Sequence, residues 1–146
     1  MNAVTDPMIH IVDDDDAVRD SLKTLLESYG MAVRDYASAA EFLGNLDPRQ
    51  RGCLILDLHL PILGGLDLIK IMREQRIPLP VVFITGRSDK ETKARALEAG
   101  AVAFLDKPVP EESLTAAIRL ALKAAADAAS GAAASSAAER LAPSPS

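Results

Sequence analysis

The chain has 146 residues, 49% apolar and 25% charged, so it can bury one core and is neither fibrous nor disordered throughout. Its 16 basic and 21 acidic residues give a net charge of −5, the wrong sign for a surface that grips nucleic acid phosphates or anionic lipid. The single cysteine, Cys53, excludes an intramolecular disulfide or a cysteine metal cluster. With no basic start followed by an apolar stretch, and no apolar run near about 18 residues, the reading is a cytoplasmic protein, neither secreted nor membrane-spanning.

Residues 1–7 form a short N-terminal extension, and the first strand-length apolar run is Met8 to Val12. Val18, Leu22, Leu25, Leu26 and Tyr29 then recur at helical spacing and predict a helix with one apolar face. A weak strand, Met31 to Val33, follows, and Ser38 with Glu41 forms a capping box opening a short helix through Phe42 and Leu46. Cys53 to Leu56 is the third run, succeeded by a helix from about Gly65 with Leu66, Ile69 and Met72, ended by Pro78 and Pro80. Val81 to Ile84 precedes a helix from Asp89 to Ala99 with Gly100 as its C-terminal cap. Ala101 to Leu105 precedes a last helix from Pro110 that carries Leu114, Ala117, Ile118, Ala121 and Leu122. Residues 124–146, rich in Ala, Ser and Pro, offer almost nothing to bury and read as a helical extension or flexible tail.

Five strand and helix alternations imply an α/β domain over residues 8–123, an open doubly wound parallel sheet with right-handed crossovers. Unbroken apolar runs are what strands covered on both faces require. In such sheets ligands bind beyond the carboxyl ends of the strands. Asp13 and Asp14 follow the first run, Asp57 the third, Thr85 the fourth, and Asp106 and Lys107 the fifth. Two like charges ~4 Å apart at an effective dielectric of ~20 repel by about 4 kcal/mol, so converging carboxylates need a shared proton or a cation. Hard oxygen ligands without a His or Cys cluster favour Mg²⁺, or Mn²⁺ in its place. Metal, carboxylates, the Thr85 hydroxyl and the Lys107 ammonium together suit a phosphoryl group.

Ile11-Val12-Asp13-Asp14, Leu54-Ile55-Leu56-Asp57 with Pro61 and Gly65, Ile84-Thr85-Gly86 and Lys107-Pro108 resemble the receiver domain of two-component response regulators. The segments Asp13 to Arg19, Phe83 to Gly86 and Ala99 to Phe104 are most similar to the FixJ-like subgroup. The resemblance implies a flavodoxin-like (βα)5 fold with strand order 2-1-3-4-5, an order that periodicity does not give. It implies that Asp57 accepts a phosphoryl group from a sensor histidine kinase or phosphotransfer protein. Asp14 would hold Mg²⁺ directly, Asp13 largely through water, and the His59 backbone carbonyl would add a ligand. Thr85 and Lys107 would bind the phosphoryl oxygens, and Phe104 would follow Thr85 inward as a switch residue. The surface of the fourth helix, fifth strand and fifth helix would then change and signal to a downstream protein, with a phosphorylation-dependent homodimer compatible with the same chemistry. His59 and Arg87, two residues beyond Asp57 and Thr85, are candidates for tuning phosphoryl lifetime. Gly64 and Val109 depart from the family's commoner residues without removing a catalytic group.

Plainer readings stand beside these. Asp15 and Asp16 are expected to be an acidic helix start, and Phe104 is open between plain core and switch. His10 reads as a structural histidine and Cys53 as a small buried apolar residue. The segment from Ala124 is too short for an effector domain, so the chain reads as a stand-alone receiver without direct nucleic acid or membrane contact. The alternatives are the receiver portion of a longer FixJ-like DNA-binding regulator, and an inactive pseudo-receiver. A flavin carrier would need phosphate-cradling residues after the first strand, where four aspartates stand. A Mg²⁺ phosphatase would need an acid where His59 stands. A P-loop is absent.

Overall fold

The computed structural model describes residues 7–47, 49–86 and 89–141, the stretch 127–141 as backbone only. The elements alternate in the expected order: β1 (Met8–Val12), α1 (Asp16–Ser28), β2 (Ala32–Tyr36), α2 (Ala39–Asn45), β3 (Gly52–Asp57), α3 (Gly65–Glu74), β4 (Val81–Thr85), α4 (Lys90–Glu98), β5 (Ala103–Asp106) and α5 (Glu111–Leu141). All strand pairs are parallel, and the sheet order is β2-β1-β3-β4-β5. This is the flavodoxin-like doubly wound arrangement, with order reversing beside β1.

Two apolar layers sandwich the sheet. One face packs Phe42, Leu54, Leu56, Leu68, Met72 and Phe83 beneath α2, α3 and α4. The other packs Ile9, Ile11, Ile55, Ile84, Leu114 and Ile118 beneath α1 and α5. All of β3 and β4 is buried, which is why their sequences are unbroken apolar runs before the final Asp57 and Thr85. β2 starts one residue later than the sequence predicts and continues through Arg34, Asp35 and Tyr36. As an edge strand half in solvent it alternates, so its polar residues hide it from an apolar-run reading.

β5 likewise starts two residues late, because Ala101 is used to finish α4. The Ala101 N–H donates to Ala96 O and the Gly100 N–H to Leu97 O, with Gly100 at φ 97°. Residues 29–31 close α1 in the same way around Gly30. Tyr29, predicted on the apolar stripe, is therefore the C-cap of α1 and half exposed. α5 passes residue 123 without a break and continues to Leu141, so the boundary drawn there is one of composition. Among the described residues, no helix is long and apolar enough to cross a membrane.

Candidate phosphoryl and metal site

Parallel pairing carries the acids to one edge. β1 and β3 register Val12 with Leu56, so the next residues, Asp13 and Asp57, leave the sheet side by side. The backbone of each is tied down: Asp13 N–H donates to Tyr36 O, Leu58 N–H to Ile84 O and Lys107 N–H to Thr85 O. Asp13 is fully buried and Asp57 nearly so, whereas Asp14 is exposed. Asp13, Asp14 and Asp57 each offer a carboxylate oxygen within 4.8 Å of the others.

Lys107 neutralises part of this charge. Its Nζ lies 2.9 Å from Asp13 Oδ2 and 3.3 Å from Asp57 Oδ2. Burial works against the ammonium, but the Asp13 and Asp57 carboxylates outweigh it and raise its pKa. Burial raises the pKa of Asp13 against the pull of Lys107 and of the Asp15 N–H, which donates to Asp13 Oδ1 at 2.9 Å. Asp13 Oδ2 receives charge contact from Lys107 but no directed hydrogen bond. A buried carboxylate oxygen left this way, beside two further carboxylates, fits a hard divalent cation such as Mg²⁺. The His59 N–H donates to Asp57 Oδ1 at 3.1 Å. Asp57, His59, Gly86 and Lys107 line an open pocket of about 280 Å³.

Thr85 ends β4 fully buried, in register with Asp106 at the end of β5. Phe104 lies two register positions back, opposite Phe83 and half-buried, its ring centroid 6.4 Å from that of Phe83. Arg87 lies outside the described residues, as do 1–6 and 142–146 of the terminal segments. Asp15 is the N-cap of α1, its carboxylate accepting from Ala17 and Val18 N–H, which bears out the plain reading. Asp16 opens that helix and pairs with Arg19.

Gly65 has to be glycine for steric reasons: a Cβ there would meet Phe83 Cε1 at 2.9 Å and the Asp57 carbonyl at 3.1 Å. Gly64 is the N-cap of α3 and supplies no side-chain cap, the cost of its departure from the commoner polar residue. The sequence reading gave Arg19 no role. Its guanidinium donates to the Asp13 carbonyl at 2.8 Å and to Asp35 at 3.1 Å, holding the β1 end against β2. Only the three-dimensional meeting of β1, α1 and β2 reveals it.

Residues 9–119 match the response regulator receiver domain family. The chain is 42% identical over 116 residues to the response regulator protein TodT of Pseudomonas putida, covering 80% of this chain and 51% of that protein. It is 41% identical over 114 residues to the transcriptional regulatory protein FixJ of Azorhizobium caulinodans, covering 78% and 54%. Among solved structures, response regulator StyR aligns with a TM-score of 0.85 at 36% identity, over 94% of this chain and 69% of that one. The N-terminal part of FixJ aligns at 0.75 and 37%, over 82% and 95%. The chain spans about half the length of the curated relatives it matches. With the 2-1-3-4-5 sheet, the acids at its carboxyl edge and this family match in agreement, the chain belongs to the receiver domains of two-component response regulators.

Proposed function

We propose that this receiver is an active phosphoacceptor switch and that Asp57 is its nucleophile. The observation that carries the reading is the placement of Lys107 Nζ against both Asp13 and Asp57, at the mouth of the three-carboxylate cluster. A carboxylate is a weak nucleophile, so the chain must contribute alignment and charge neutralisation. The His59 N–H fixes one Asp57 oxygen, leaving the other toward Lys107 and the pocket. That carboxylate forms the new O–P bond as the P–N bond to a donor imidazole breaks, and the imidazole takes a proton from solvent.

Asp13, Asp14, Asp57 and the His59 carbonyl would hold Mg²⁺, which when bound neutralises phosphoryl oxygens. Lys107 then exchanges its Asp57 contact for the phosphoryl group, and the Thr85 hydroxyl turns to a phosphoryl oxygen. Because these contacts are stronger after transfer than before, they shift the conformational population. Phe104, beside Phe83 and two register positions from Thr85, would carry that shift into the α4, β5 and α5 surface.

The domain so defined is residues 8–123, working in the cytoplasm with a histidine kinase or phosphotransfer protein upstream and a protein target downstream. Its catalysis is confined to phosphorylation and dephosphorylation of its own Asp57. All five groups, Asp13, Asp14, Asp57, Thr85 and Lys107, are present, which weighs against a pseudo-receiver. A second reading, the receiver part of a longer transcriptional regulator, is favoured by the half-length coverage of TodT and FixJ. Reading the gene beyond the Ser146 codon separates the two.

Intact-protein mass spectrometry after incubation with acetyl phosphate tests the chemistry. One Mg²⁺-dependent phosphoryl adduct is expected on the wild type and none on Asp57→Asn. An adduct that survives in Asp57→Asn overturns the assignment.

A further inference from the structure

Of the three acids at the sheet edge, two have their carboxylates held directly. Asp13 accepts from the Asp15 N–H and faces the Lys107 ammonium, and Asp57 accepts from the His59 N–H and faces the same ammonium. Asp14 is exposed, and among the described residues its carboxylate has no hydrogen-bond or ion-pair partner. What places it is its backbone, above all the peptide that joins it to Asp13, whose plane moves as one unit.

One side chain grips that peptide. Arg19 Nη1 donates to the Asp13 carbonyl at 2.8 Å, while its Nε donates to Asp35 Oδ2 at 3.1 Å. Asp35 stands in β2 opposite Ile11, two residues short of Asp13, and Lys23 pairs with its other oxygen at 3.5 Å. The Arg19 side chain is only 13% exposed, so these two bonds escape the screening that makes ordinary surface pairs weak. Its third contact ends on the Asp16 carboxylate, which is 84% exposed, and adds little. A planar guanidinium with one arm on a carbonyl and another on a carboxylate fixes direction as well as distance. The Asp13 N–H also bonds the Tyr36 carbonyl. Both sides of Asp13 are thus tied to β2, the N–H directly and the carbonyl through Arg19 and Asp35.

We propose that Arg19 is a positioning residue for the metal site, holding the Asp13–Asp14 peptide so that the Asp14 carboxylate is aimed at a cation shared with Asp13 and Asp57. The proposal rests on the metal-assisted phosphoacceptor reading of the site. It also gives Asp35, a charged residue within a strand, a task, which is to seat the guanidinium. Three roles for Arg19 separate by their effects. If its charge alone mattered, removing it would tighten Mg²⁺ binding, because like charges repel. If it only bridged the strands, its loss would lower the melting temperature in EDTA and leave the Mg²⁺ affinity of the folded site alone. If it aims Asp14, Mg²⁺ binding weakens even where the positive charge is kept.

Calorimetric titration of the full chain with magnesium chloride, at a temperature where each variant is folded, reads the difference. Arg19→Lys keeps the charge and loses the planar fork, and Arg19→Met loses both. Each is expected to raise the Mg²⁺ Kd by about tenfold, as removal of a group that orients a metal ligand does. In an Asp14→Asn background, where the aim no longer matters, Arg19→Lys should change the Kd by less than about twofold. An unchanged or lower Kd in Arg19→Lys, or the full loss repeated in the Asp14→Asn background, overturns the proposal while the metal site stands. Should Arg19→Met fail to fold, Arg19→Lys decides alone. If the wild type takes up no Mg²⁺, the metal reading falls and the proposal falls with it.

Discussion

His10 occupies the middle of β1 with its Nδ1 3.3 Å from the Tyr36 hydroxyl, its Nε2 buried without a partner, and Phe42 edge-on to its ring. Burial, then the charge of Arg34 opposite it in β2, lowers its pKa from 6.5 to about 4. The unfolded chain therefore takes up a proton near pH 6.5 that the folded chain refuses until about pH 4. Stability from this group is complete above 6.5 and falls as pH drops between those values, by about 3 kcal/mol in all. Asp13 acts with the opposite sign, since burial raises its pKa in the folded state. Urea melts at pH 7 and pH 4.5 should show a smaller acid loss for His10→Gln than for wild type, and parallel losses would refute the account. At this scale the sequence disclosed the types and spacing of the site acids. It hid the Arg19 bridge, because that depends on where a guanidinium arrives in space.

Among the described residues three helices end in the same way, and only two of them have the residue that the ending prefers. Gly30 and Gly100 take the left-handed position after α1 and α4, but after α3 that position is Arg76, at φ 56°. Its N–H still bonds Arg73 O and the Ile77 N–H bonds Met72 O, so the geometry is kept with a Cβ in an unfavourable place. Arg76→Gly is expected to raise stability by about 1 kcal/mol, and Gly30→Ala, where no side chain is crowded, to lower it by a similar amount. Chemical denaturation of both variants checks the pair of signs. This exchange also shows why element ends were harder to read than interiors. The Gly100 ending was legible because glycine announces it, whereas Arg76 gives no such signal, and the Arg34 and Asp35 of β2 look like loop.

Across the whole molecule, the candidate metal site forms only when β1 and β3 pair, since its acids come from separate segments. Mg²⁺ should therefore stabilise the folded chain, by about 2.7 kcal/mol at 100 times its Kd, seen as a rise in Tm of several degrees. Asp14→Asn should flatten that dependence in thermal melts with Mg²⁺ against EDTA, and an undiminished rise would remove Asp14 from the ligand set. The five alternations made the layered fold readable from sequence, because each central strand had to be apolar on both faces. The 2-1-3-4-5 order was not readable in the same way, since periodicity says nothing about which strands become neighbours.

One element reaches well beyond these layers. α5 starts just after the Lys107 loop and runs 31 residues, a rise of about 46 Å. Residues 124–141 account for about 27 Å of it, beyond Ala121, the last buried residue among those described on this helix. Because the helix is continuous, a tilt of about 5° at residue 123 would sweep residue 141 through about 2 Å.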